Sequence, residues 1–135
     1  MVHNQTLSLV IQLIHTIFVT SLIIFPLITS KYDLQYSIII LLMTLHWFLC
    51  CGECIISYFE KKLLNDNYQM GDNSNYKPYH EIVTKNTRYI FRILNTIVFL
   101  LIIYRNYKND NFYIILFFLI LSFFLYFARM KYFKY

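Results

Sequence analysis

The sequence predicts an all-α fold, a four-helix transmembrane bundle running up-down-up-down. Three observations predict it. Of the 135 residues, 59% are hydrophobic and only 14% are charged, far from the balance of a soluble globular chain. The apolar residues gather into four runs with polar stretches between them. The basic residues that produce the net charge of +5 lie beside those runs and form no separate basic domain, which excludes a nucleic-acid binder and marks them as topology signals and headgroup contacts. Phe, Tyr, Ile and Asn dominate, and Ala128 is the single alanine, a bias typical of an AT-rich genome, viral or otherwise. With so few small residues, helices must pack through bulky side chains and polar contacts.

The first run, residues 7–29, contains no Lys, Arg, Asp or Glu and exceeds the roughly 30 Å hydrocarbon thickness at about 1.5 Å per residue. It lacks a basic n-region and is longer than a signal-peptide core, so it reads as a span, with Ser30 the one feature of a cleavage site. Pro26 falls near its far end, where a kink costs little. The second run, 36–58, is expected as one continuous helix interrupted chemically by His46, Glu53 and three cysteines. Residues 60–87 read as a polar cytosolic loop, rich in turn residues such as Asn65, Asp66, Gly71, Asn73 and Pro78. The third and fourth runs, 88–104 and 112–127, are short for full spans and are joined by a tight turn. The whole chain, 1–135, is thus expected to be a single transmembrane domain. Lys61, Lys62, Lys77, Lys85, Arg88, Arg92, Arg129, Lys131 and Lys134 lie on one side of this arrangement against Lys31, Arg105 and Lys108 on the other. That excess places both termini and the central loop in the cytosol.

An ionisable residue at membrane depth costs at least about 2.5–3.5 kcal/mol, so Glu53 is expected to face the bundle interior. At 100° per residue, His46, Cys50, Glu53, Ser57 and Glu60 share a stripe roughly 80° wide, with Cys54 at its edge. On the first helix Ser8, Gln12, His15 and Thr16 share a face, and on the third Arg88, Arg92 and Asn95 do. Counted inward from the cytosolic ends, Glu53, Arg92, Asn95, Gln12 and His15 all reach roughly 6–12 Å depth. The expectation is therefore an intramembrane polar cluster of Gln12, His15, His46, Cys50, Glu53, Cys54, Ser57, Glu60, Arg92 and Asn95, with Glu53 paired to Arg92 or hydrogen-bonded by His15 and Asn95.

Four uses of such a cluster compete. It can hold three helices in register, a structural role. It can pass protons or a small cation, though no filter sequence and no broken helix is visible. Cys51 and Cys54 form a C-x-x-C, the spacing of a thiol oxidoreductase, yet they are expected mid-helix, where nothing lowers a thiol pKa. His46, Cys50, Glu53 and Cys54, with His15 as a further ligand, have the i, i+4 spacing of a metal site, but the balance of the sequence is for no metal and no cofactor. Motifs of proteases and nucleotide enzymes are absent, and Asn65 to Asp72 lacks the spacing of a calcium loop. The expected protein is a non-enzymatic, multi-pass membrane protein that uses its polar cluster for structure, partner contact or small-ion passage; the alternative is a membrane-embedded thiol oxidoreductase. Its expected partners are the lipid bilayer, a second copy or other membrane proteins.

The segment Cys54-Ile55-Ile56-Ser57-Tyr58-Phe59-Glu60-Lys61-Lys62-Leu63, followed by Tyr68 and Gly71, resembles a pattern in small uncharacterised four-span membrane proteins of bacteria and large DNA viruses. Bacterial members read Cys-Pro-Leu-Thr-Pro-Leu-Glu there, so Cys54, Ser57 and Glu60 match while both prolines are missing. The resemblance covers about 20 residues, as counted along the printed sequence. It implies four spans and a corner at the end of the second helix, and it carries no activity.

Overall fold

A computed structural model describes residues 2–72 and 85–132, with side chains for residues 5–72, 90 and 92–129. Asn73, Ser74, Asn75, Lys77, Pro78 and His80 of the expected loop lie outside the described residues. Among the described residues the chain is all-α, with five helices and no strand: α1 (Val2–Ile28), α2 (Asp33–Leu49), α3 (Ile55–Leu64), α4 (Lys85–Asn106) and α5 (Phe112–Tyr132).

Helix α1 follows from an apolar run with no interior breaker before Pro26, whose missing N–H falls in the last turn. At 27 residues it is about 40 Å long. Two helices, α1 over Gln5–Ile28 and α5 over Phe112–Arg129, are long and apolar enough to cross a membrane, each with mean hydropathy 2.2 and only 22% of that stretch buried. Most of both stretches therefore lies on the surface of the fold rather than in its core. Helices α4 and α5, at 22 and 21 residues, are longer than the 17-residue runs that the sequence suggested.

The second apolar run is not one helix. Helix α2 stops at Leu49 because Cys51 (φ 53°) and Gly52 (φ 80°) adopt left-handed backbone in succession, which no α-helix continues through. After Cys54 in extended conformation the chain restarts as α3, which carries on through Glu60 to Leu64, residues expected in the loop.

Helix α2 packs along α5, α1 packs against α3 and α4, and α4 meets α5. The apolar core sits near the α1–α2 and α4–α5 turns, where Ile23, Tyr36, Val98, Ile102, Ile115 and Leu119 are buried together. At the other end, around the α2–α3 break, the buried residues are polar: Ser8, Gln12, His15, Glu53, Ser57, Glu60, Lys61 and Arg129.

Candidate functional site

The break between α2 and α3 interrupts the backbone hydrogen-bond ladder, and side chains from elsewhere complete it. Arg129, in the last turns of α5, donates from Nε (3.0 Å) and Nη2 (2.5 Å) to the carbonyl of Gly52 while its guanidinium lies 4.8 Å from the centre of the Trp47 ring. The first amide of α3, on Ile55, donates to His46 Nε2 at 3.1 Å. A ring nitrogen that accepts must be unprotonated, so neutral His46 carries its proton on Nδ1, which faces Cys50 Sγ at 3.8 Å.

The break also folds Glu53 back onto its own following helix. Glu53 is 3% exposed. Lys61 Nζ reaches its Oε1 at 2.5 Å and donates to the Tyr68 hydroxyl at 2.6 Å. That hydroxyl donates to both carboxylate oxygens, at 3.0 and 2.9 Å, and the Gly71 amide adds a bond of 3.2 Å. Lys61 lies over the Tyr68 ring, 4.5 Å from its centre. Gly71 has φ 90°, and a Cβ there would stand 3.0 Å from Cys51 Cβ, so this close approach requires glycine.

A second carboxylate fastens α3 to α1. Glu60, fully buried, accepts from Ser8 Oγ at 3.0 Å and from Gln12 Nε2 at 2.6 Å. One turn higher, Cys54 Sγ lies 3.7 Å from His15 Nε2. Ser57 is buried on the same face of α3.

Among the expected cluster residues, Gln12, His15, Glu53, Ser57 and Glu60 are buried around the break, and Cys50 and Cys54 are half-buried. Arg92 and Asn95 are not with them: both side chains are exposed on α4, so Glu53 pairs with Lys61 rather than Arg92 and takes no bond from Asn95 or His15. The cysteines are not mid-helix either, because Cys54 is the N-cap residue of α3 and Cys51 is exposed in the turn. His46 and His15 each face one cysteine, and among the described residues no three metal-ligating side chains converge.

Sequence reasoning missed Lys61, Tyr68, Gly71 and Arg129, and it missed an entire second polar site at the opposite end. There Asp33, 3% exposed, accepts from Arg105 Nε at 2.6 Å and from Arg105 Nη2 and Asn106 Nδ2. Arg105 Nη1 and Nη2 also bond the carbonyls of Pro26 (2.7 Å) and Thr29 (3.2 Å), acceptors left over at the end of α1. The signal available for Asp33 was its place in the first turn of an apolar helix, where a carboxylate complements the helix dipole.

Among the described residues these features define a class, an all-α chain with two apolar helices of membrane-crossing length and two buried polar sites. No family model matches the sequence, and no curated protein and no solved structure is similar to it.

Proposed function

We propose that the chain is a four-pass integral membrane protein, with α1, α2, α4 and α5 as spans, both termini and the central loop in the cytosol, and the break-end polar cluster serving as a fastening rather than as a catalytic centre. One observation carries this reading: α3 and the first half of α1 are inside out. Helix α3 hides Ser57, Glu60 and Lys61 and exposes Ile55, Phe59 and Leu64, and α1 hides Ser8, Gln12 and His15 beneath exposed Leu9, Leu13, Ile14 and Ile17. Water favours the opposite arrangement, and hydrocarbon favours this one. Irregular backbone at membrane depth is tolerated where protein groups satisfy it, as Arg129 and His46 do at the break.

Within the fastening, Glu53 is neutralised by Lys61 and saturated by Tyr68 and Gly71, which favours helix registration over ion passage. The protein then acts through contact with lipid and with other membrane proteins. The test is proteoliposomes loaded for proton and potassium flux, with the native chain and Glu53→Gln. The expected result is no flux in either and a lower Tm in the variant; native flux abolished by Glu53→Gln would overturn the fastening reading in favour of conduction.

A second reading, a membrane-embedded thiol oxidoreductase, is favoured by the place of Cys54 at the N-terminus of α3 beside His15, with Cys51 exposed two residues beyond α2. Maleimide labelling before and after reduction separates the readings. A redox pair gains two reactive thiols on reduction, and a structural set gains none.

A further inference from the structure

The turn at residues 29–32 joins two helices that part company. Helix α1 leaves to pack on α3 and α4, and α2 leaves to pack on α5. Between them lies an open groove of about 360 Å³, bounded by Phe18, Ser21, Leu22 and Phe25 on one side and by Tyr32, Gln35, Tyr36 and Ile39 on the other. Only carbon faces the groove. Ser21 lends it no polar atom because its hydroxyl is bonded to the Ile17 carbonyl at 2.8 Å.

Two features say what fits there. The first is depth: Phe18 lies ten residues below Ile28, so the groove descends about 15 Å from the turn, half of a hydrocarbon core roughly 30 Å thick. A groove of that length matches the acyl chain of one leaflet. The second is charge. At the mouth, Lys31 Nζ stands 5.4 Å from the centre of the Tyr32 ring, which itself forms part of the wall, and Lys31 has no ion pair among the described residues. With both termini in the cytosol the turn lies in the opposite leaflet, and a cation on an aromatic at the end of an apolar slot there fits a lipid whose chain lies in the slot and whose anionic headgroup meets the cation.

We propose that the α1–α2 groove is a binding site for a single phospholipid with an anionic headgroup, its acyl chain between Phe18 and Ile39 and its phosphate at Lys31. This deepens the membrane reading above and rests on it. Ser21→Phe fills the slot from a position already exposed, and Lys31→Gln removes the charge while leaving the slot open. Leu13→Phe, on the exposed face of α1 outside the groove, is the control.

The experiment is native mass spectrometry of the full chain released from detergent after titration with phosphatidylglycerol or phosphatidylcholine. The native chain and Leu13→Phe are expected to retain one phosphatidylglycerol per chain, preferred over phosphatidylcholine on the order of fivefold, the effect of one lysine near a lipid surface. Ser21→Phe is expected to retain neither lipid. Lys31→Gln is expected to retain both without preference. Retention unchanged in Ser21→Phe, or retention by the native chain no stronger than random detergent carry-over, overturns the site. A dimer mass that disappears in Ser21→Phe without bound lipid also overturns it, assigning the groove to a second copy. Extraction into alkaline carbonate without detergent would instead sink the membrane reading, so the two failures are distinguishable.

Discussion

The two polar sites of this chain use similar groups at opposite ends and solve different problems. At the turn end, Arg105 stitches together places where helices finish and start: the last carbonyls of α1, the first turn of α2 and the last turn of α4. Unsatisfied carbonyls exist at the end of any helix, and one planar cation with five donors meets two of them together with the Asp33 carboxylate. At the break end, Lys61, Tyr68 and Arg129 serve an interruption inside an apolar run. The turn-end site closes a fold that would otherwise have loose ends; the break-end site makes an interrupted helix tolerable. The carboxylates are equally buried, but the cations differ in access to solvent, since the Lys61 side chain is 7% exposed and that of Arg105 19%.

The largest effect is expected from Lys61→Met, which leaves Glu53 buried without its cation. Unfolding in mixed micelles is expected to show a loss of about 3–5 kcal/mol, and adding Glu53→Leu to Lys61→Met is expected to restore most of it. If the double variant is no better than the single one, the break end depends on something other than charge compensation. Arg105→Ala comes next, at about 2–3 kcal/mol, because it leaves Asp33 buried without its cation while Asn106 still donates to it. This loss is expected to shrink in 1 M salt while the Lys61 loss does not, since salt screens accessible pairs; equal salt responses would erase the distinction between the ends. Gly71→Ala places a Cβ against Cys51 at positive φ and is expected to cost about 1–3 kcal/mol, read as a lowered Tm. Arg92→Gln, at an exposed position with no bond to either site, is expected to stay within about 0.5 kcal/mol of the native chain. A larger loss would return Arg92 to the cluster.

The contrast explains what could be read from the sequence. Helices α1 and α5 were legible because an unbroken apolar run has one reading, and the buried face of α1 was legible because Ser8, Gln12 and His15 recur at helical spacing. The break was not, because in the run from Tyr36 to Tyr58 the one punctuating residue is Gly52, and an isolated glycine inside a helical pattern is usually tolerated. The first helical position of α3 is Ile55 rather than the proline favoured at such a position, so nothing marked a new start there. Once the break was overlooked, the partner of Glu53 was out of reach: on a continuous helix Lys61 would stand about 12 Å further along the axis. Arg105 was legible only as a basic residue flanking a span, and Asp33 not at all, since a count of Lys and Arg for topology says nothing about which acid they meet.

The turn-end pair has a consequence in time. Asp33 and Arg105 are 72 residues apart, so at roughly 5–20 residues per second the carboxylate is made about 4–14 s before its cation. During that interval the hairpin of α1 and α2 holds an acid it cannot yet neutralise, and the closing of the fold waits for the last turn of α4. A chain halted before Arg105 would carry that acid without its cation, so the buried pair can form only once synthesis has passed the last turn of α4.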